Sequence, residues 1–216
     1  MKKRKKSEIL NRTGILNYLI KLYNYKHYLE IGVRNPDENF NLIKAKYKAG
    51  VDPDGNCRYP MTPDSFFKIN KNTYDIIFID GFHQDQQVIK DIDNSLNVLD
   101  ENGTIVLHDC NPLEEINQTE IQHNGAWNGT VWKAFAQFRM TRTYLEMYVV
   151  DTDWGVGIIR RGIQAALSAT EDKLDFAFLE NNRKALLNLI TTDEFKKLFH
   201  HSGFAMINFY RSIFKK

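Results

Sequence analysis

Ile76-Ile77-Phe78-Ile79-Asp80 is an unbroken apolar run closed by a carboxylate. Without polar alternation, both faces of such a strand must be covered, as they are for a parallel strand inside an α/β sheet. Outward from it lies His27-Tyr28-Leu29-Glu30-Ile31-Gly32-Val33, a second short apolar run, bounded by Asn35-Pro36. Lys48-Ala49-Gly50-Val51-Asp52-Pro53 reads as another strand running into a turn, and Thr104-Ile105-Val106-Leu107 follows the turn Asn102-Gly103 and ends at His108-Asp109.

Helical patterns separate these runs. Residues 8–26 carry Ile9, Leu10, Ile15, Leu16, Leu19, Ile20 and Leu22 on a rough helical face, weakened by Gly14. Asn39 to Lys48 reads as a short helix, and Pro60 to Phe67 as turn residues leading into a helical start. Gln84 to Leu99 places Val88, Ile92, Leu96 and Leu99 on one face, and Val131 to Arg139 is helical. Tyr144–Val150 and Gly155–Ile159 are two further strands joined by the turn Asp151-Thr152-Asp153-Trp154, the pattern of an antiparallel hairpin. The pattern beyond Gly162 is helical. Strands alternating with helices predict an α/β fold with a mostly parallel sheet flanked by helices. The expected organisation is a ligand-binding domain over 1–162 and a C-terminal helical extension over 163–216 packed on it.

Bulk properties narrow the classes. The chain has 216 residues, with 29 Lys and Arg against 27 Asp and Glu. A net charge of +2 gives no reason to expect a nucleic-acid partner. Five basic residues lie between Lys2 and Lys6, and the plain reading is a solvated terminus. No apolar h-region follows them, and no apolar run is long enough to span a bilayer. Two unpaired cysteines, Cys57 and Cys110, suit a reducing compartment. The expectation is a cytoplasmic protein with no membrane span.

In an open parallel sheet, ligands bind at the carboxyl ends of the strands, where the strand order reverses. The residues there are Glu30 and Gly32, then Asp52, then Asp80, then His108 and Asp109. Gly32 permits close backbone approach to a ligand. The segment from Glu30 to Asn35 is not G-x-G-x-x-G, so a pyrophosphate cradle is not indicated. Asp52 stands 20 residues beyond Gly32, where a carboxylate can accept ribose hydroxyls; its plainer reading is an Asx-type turn before Pro53.

Four blocks in order carry a resemblance: Tyr28-Leu29-Glu30-Ile31-Gly32, Gly50-Val51-Asp52-Pro53-Asp54, Phe78-Ile79-Asp80-Gly81-Phe82-His83 and Gly103-Thr104-Ile105-Val106-Leu107-His108-Asp109-Cys110. Together they resemble the class I, Rossmann-like S-adenosylmethionine-dependent methyltransferases, in particular the methyltransferase 24-type family, over roughly residues 25–160. One departure is Arg34-Asn35-Pro36, where the family has a second glycine. The resemblance implies that Glu30 and Gly32 line the methionine end of S-adenosylmethionine. Asp52 would hold the ribose, Asp64 or Ser65 would meet the adenine, and Asp80 would sit beside the methyl group.

Methyl transfer needs positioning and an unprotonated nucleophile. His83 is the first candidate base, three residues beyond Asp80, and His108 the second; either is otherwise a structural polar residue. Asp80 and Asp109 match the metal-binding aspartates of catechol-type enzymes, so a divalent metal stays open. The third ligand there is an asparagine, and here that place is Cys110, with Asn111 one further on. Histidine in the set would suit manganese, iron or zinc better than magnesium. The polar, aromatic stretch His123 to Lys133 suits an acceptor loop, with Trp127 and Trp132 as candidate contacts, although Trp132 at a helix start also suits the core.

The expected activity is O-methylation of a small-molecule or glycan hydroxyl, as in glycan or secondary-metabolite biosynthesis. Two readings compete with it: a nicotinamide-dependent oxidoreductase or sugar-nucleotide enzyme on a similar fold, and a non-catalytic cofactor-binding domain. A homodimer through the C-terminal helices is left open.

Overall fold

The computed structural model describes residues 10–165, 167 and 174–199. The basic run before Ser7, the start of the first helix and the last predicted helical turns lie outside them.

Among the described residues, seven strands form one mixed sheet: β1 (His27–Ile31), β2 (Tyr47–Val51), β3 (Tyr74–Ile79), β4 (Leu99–Leu107), β5 (Leu145–Val150), β6 (Val156–Arg161) and β7 (Leu189–Ile190). Their spatial order is β2-β1-β3-β4-β6-β5-β7. The first four pair in parallel, β6 runs antiparallel to both β4 and β5, and β7 joins β5 in parallel. This is a Rossmann-like, mostly parallel sheet with an antiparallel hairpin at one end, as expected.

Strand alternation assigns the two layers. Ile77 and Ile79 of β3 point to a cluster with Leu29, Ile31, Ile105 and Leu107, covered by Phe66 of α2 (Pro63–Ile69), Val88 and Ile92 of α3 (Asp85–Val98), Trp132 and Phe135 of α4 (Val131–Thr141), and Leu179 and Leu186 of α5 (Phe176–Leu186). Ile76 and Phe78 point the other way, to Ile15, Leu16 and Leu19 of α1 (Arg12–Tyr23), and to Phe195 and Phe199 of the helical residues 192–199. The continuous apolar run of β3 is thus explained by covering on both faces.

Local differences have local causes. The helix expected over 39–48 is only a 3-10 turn at Phe40–Leu42, and β2 already begins at Tyr47. Asn35 accepts the Asp37 amide through Oδ1 in an Asx turn, and Asn39 is buried against β1, so the segment is occupied by side-chain bonds before a helix can start. Gly14 is tolerated because it sits in the first turn of α1, where its N–H bonds the capping Asn11 side chain. Asn102-Gly103 is an irregularity within β4 rather than a turn before it: the pairing slips between Leu99 opposite Tyr74 and Thr104 opposite Ile76. The C-terminal region is not purely helical, since Leu189–Ile190 extends the sheet.

Candidate active site

The chain leaves β1 for β2 on one side and returns to β3 on the other, so strand order reverses between β1 and β3. Backbone bonds hold the strand ends level: Gly32 N–H to Val51 O (2.8 Å), Asp80 N–H to Ile31 O (2.8 Å) and His108 N–H to Ile79 O (3.1 Å). Gly32 has φ +94°, and a Cβ there would lie 2.1 Å from the Asp80 carbonyl oxygen. Only glycine lets the two strand ends meet at this point.

A cleft of about 890 Å³ opens over this edge. Its lining includes Glu30, Gly32, Asp52, Asp64, Asp80, His83, His108, Asp109 and Trp127, all expected from the sequence, together with Arg12 and Asn39. Two expected residues are not brought to it. Ser65 bonds Thr62 through both its amide and its hydroxyl at the start of α2. Trp132 is fully buried in the core, with its indole N–H donating to Gln118 Oε1 at 2.9 Å, which corrects its assignment as an acceptor contact.

At one end of the cleft, Glu30 is buried and accepts hydrogen bonds from the Tyr28 hydroxyl and from Asn39 Nδ2 (3.0 Å). Burial pushes its carboxyl up to about 7, against the lowering effect of those two bonds. Asp52 accepts the Asp54 amide at 2.8 Å, so the Asx turn is real, and its carboxylate also faces the cleft.

Next to Glu30 and Gly32 is a cluster of acids and imidazoles. His83 Nε2 lies 3.4 Å from Asp80 Oδ1, and His83 Nδ1 lies 3.5 Å from Asp109 Oδ2. His83 Nδ1 is buried without a hydrogen-bond partner among the described residues. The imidazole stacks on Trp127, with centroids 5.0 Å apart and planes 16° from parallel. Asp109 adopts a left-handed backbone (φ 60°), and its Oδ1 accepts from Asn128 Nδ2 at 2.7 Å. Left-handed backbone at a non-glycine residue is strain of about 1 kcal/mol or more, held here by the surrounding contacts.

His108 is engaged at both nitrogens. Nε2 lies 2.9 Å from the Asp153 carbonyl, and Nδ1 is 3.3 Å from Asp80 Oδ1 and 3.2 Å from Asp109 Oδ2. All these neighbours are acceptors, which suits a ring with both N–H groups present. Burial opposes that charge, but Asp80 and the bonds to Asp109 and Asp153 override it and raise the imidazole well above its ordinary value. Asp80 shows the reciprocal effect: burial works against its charge, yet His108 and His83 hold its carboxyl well below the usual range.

Asp80, His83 and Asp109 each offer a ligand atom within 4.8 Å of the others. The buried Asn128 Oδ1 beside them has no hydrogen-bond partner among the described residues. This donor set fits a small divalent cation with nitrogen-tolerant chemistry. Asn111 is not part of it: its amide is committed to Asp151 and Arg183.

Asn39, Asn128, Asp153 and Arg12 were not singled out by sequence. Each reaches the cleft or its lining through a turn or a long-range tie, and no short motif signals such contacts.

A family model described as a methyltransferase domain matches residues 16–110. The match covers 95 of the 216 residues, a little under half of the chain. The matched stretch holds β1 to β4, hence all four strand ends of the cleft. Solved structures similar to this chain include an O-methyltransferase from Bacillus cereus in complex with SAH, at 13% identity and TM-score 0.48, covering 74% of this chain and 84% of that one. Another is the O-methyltransferase TomG from Streptomyces achromogenes in complex with SAM, at 10% identity and TM-score 0.46, covering 70% of this chain and 78% of that one. A search of curated proteins finds no match. The cleft's donors are compatible with S-adenosylmethionine: Gly32 leaves space that a side chain would fill, and the carboxylates of Glu30 and Asp52 are available to cationic and hydroxyl groups.

Proposed function

We propose that the protein transfers the methyl group of S-adenosylmethionine to a hydroxyl of a small acceptor, with a sugar hydroxyl preferred, and that it works in the cytoplasm. The observation that carries this reading is the placement of His83 between Asp80 and Asp109, beside Gly32 at the reversal of strand order. The cofactor supplies an electrophilic methyl on a sulfonium; the chain itself must hold the acceptor in line and take its proton. In this reading Glu30 meets the methionine ammonium, Asp52 the ribose and Asp64 the adenine side, and Asp80 borders the methyl group. His83 is the base, its ring plane set by Trp127. His108 is a positioning residue, because both its nitrogens are occupied by acceptors.

Around the acceptor, Phe82, Glu120, Gln122 and Trp127 line the cleft, a mixture of aromatic surface and hydrogen-bonding groups that suits a polyhydroxylated ring. A nicotinamide cofactor is not favoured. No helix N-terminus follows Gly32 to take a pyrophosphate; an Asx turn and a 3-10 turn stand there instead.

A second reading places a divalent ion on Asp80, His83 and Asp109, with His83 then a ligand instead of the base, favoured by the clustering of their ligand atoms. Such an ion would orient the acceptor hydroxyl and lower its pKa. Both readings are tested by methyl-labelled S-adenosylmethionine with a panel of glycans and phenols, with and without chelator. His83→Asn is expected to slow transfer by about 10²–10⁴-fold while S-adenosylhomocysteine affinity stays within about twofold. Undiminished transfer by that variant removes the base assignment, and undiminished transfer in chelator removes the metal. NAD binding without S-adenosylhomocysteine binding overturns the whole reading.

A further inference from the structure

Arg12 enters the cleft with its guanidinium held in place from behind. It opens α1, outside the stretch matched by the methyltransferase family model, yet it lines the cleft together with Glu30, Gly32 and Asn39. Its backbone N–H donates to Asp153 Oδ2 at 2.8 Å, and its Nη1 reaches both oxygens of the same carboxylate at 3.4 and 3.3 Å. Asp153 is a suitable anchor. Burial opposes its charge, but His108, then Arg12, hold its carboxyl down to about 2. The guanidinium is therefore oriented by one edge.

Its Nε is not used. It is buried, has no hydrogen-bond partner among the described residues, and lies 3.9 Å from Asp80 Oδ2, beyond hydrogen-bond reach. A buried N–H without an acceptor costs free energy that a ligand oxygen recovers on binding. Arg12 is also near enough to Glu30 to stabilise its charge. This part of the cleft thus presents one fixed cation, 3.9 Å from Asp80 on one side and facing the buried carboxylate of Glu30 on the other. An α-amino acid zwitterion carries the matching pair of opposite charges.

We propose that Arg12 binds the carboxylate of the cofactor's methionine moiety, while Glu30 takes its ammonium. This rests on the S-adenosylmethionine reading above and adds a residue to it. Asp153 acts through Arg12 as a positioning residue, and the long-range tie from α1 to the β5–β6 turn is part of cofactor recognition rather than of packing alone. An arginine suits the role because its planar fork can bond two partners at once, one fixed and one exchangeable.

The test compares two ligands by calorimetric titration: S-adenosylhomocysteine, which carries the amino-acid end, and 5′-methylthioadenosine, which lacks it. Arg12→Gln is expected to weaken S-adenosylhomocysteine about 10–100-fold and to leave methylthioadenosine within about twofold. The second ligand doubles as a check that the variant is folded. Arg12→Lys, which keeps the charge but not the fork, is expected to fall between wild type and Arg12→Gln. Equal loss of both ligands, or no loss of either, overturns the proposal. A wild-type protein that binds neither ligand overturns the cofactor reading itself, which is a different result from a selective failure of Arg12.

Discussion

The imidazole of His83 lies flat on the indole of Trp127, centroids 5.0 Å apart and planes inclined by 16°. The indole is itself fixed, since its N–H donates to the Thr119 carbonyl at 2.7 Å. The next turn closes on the same residue: Thr130 N–H bonds the His83 carbonyl at 2.8 Å, and Gly129 packs where a Cβ would lie 2.2 Å from that oxygen. Trp127 therefore meets the candidate base directly, in addition to facing the cleft.

Loss of this stack should free the imidazole to rotate away from Asp80 and Asp109. Trp127→Ala is expected to lower kcat by about tenfold or more, in keeping with the sensitivity of proton transfer to geometry, with S-adenosylhomocysteine affinity unchanged. Trp127→Phe should recover part of the rate. Steady-state kinetics beside calorimetry separate the two effects; a change confined to KM would assign Trp127 to the acceptor alone.

Glu30 makes the cleft sensitive to pH. Its carboxyl is raised from 4.5 to about 7 by burial, so the ligand-free fold holds this proton more tightly than the unfolded chain does. The sign follows: the contribution is fully present below about 4.5 and is lost as pH rises to about 7, by an amount of at most about 3 kcal/mol. Glu30→Gln should flatten that fall in denaturant titrations run from about pH 4 to about pH 8, which brackets the two values. Cofactor affinity should run the opposite way, since an ammonium selects the ionised form, and S-adenosylhomocysteine should bind more tightly as pH rises through about 7. Equal slopes for wild type and Glu30→Gln would detach Glu30 from the cofactor.

Gly32 has no room for a side chain. Gly32→Ala must push the end of β1 away from Asp80, at a cost of about 1–3 kcal/mol for the unfavourable backbone alone. It is expected to lower Tm and to abolish S-adenosylhomocysteine binding. Wild-type affinity in this variant would place the cofactor elsewhere than the reversal point.

Asp52 holds the Asp54 amide with Oδ1, so part of its role is local. Asp52→Asn keeps that acceptor and should preserve the loop while weakening S-adenosylhomocysteine about tenfold, the effect of one charge-assisted hydrogen bond. Thermal melting and calorimetry together decide; affinity equal to wild type would free Asp52 from the ribose.

Much of this was legible in the chain because parallel strands write their covering into composition. Ile76 to Ile79 has no polar position, and the carboxylates at Asp52, Asp80 and Asp109 mark where the apolar runs stop. The strand ends are local facts, so sequence finds them. Arg12, Asn39, Asn128 and Asp153 are not local facts. Asn128 meets Asp109 only after an irregular loop folds back, and Arg12 meets Asp153 across 141 residues of chain. The helix expected over 39–48 failed for a related reason: Asn39 is spent on Glu30, a partner that no residue in its own segment reveals.

The tie between Arg12 and Asp153 bears on how portable this domain is. The stretch that matches the methyltransferase family model, 16–110, contains neither partner, nor Trp127, nor Asn128. A chimera that transplanted those residues alone would carry the strand ends and both histidines. It would leave behind the residues that aim them, so such a transplant should conserve folding more readily than it conserves turnover.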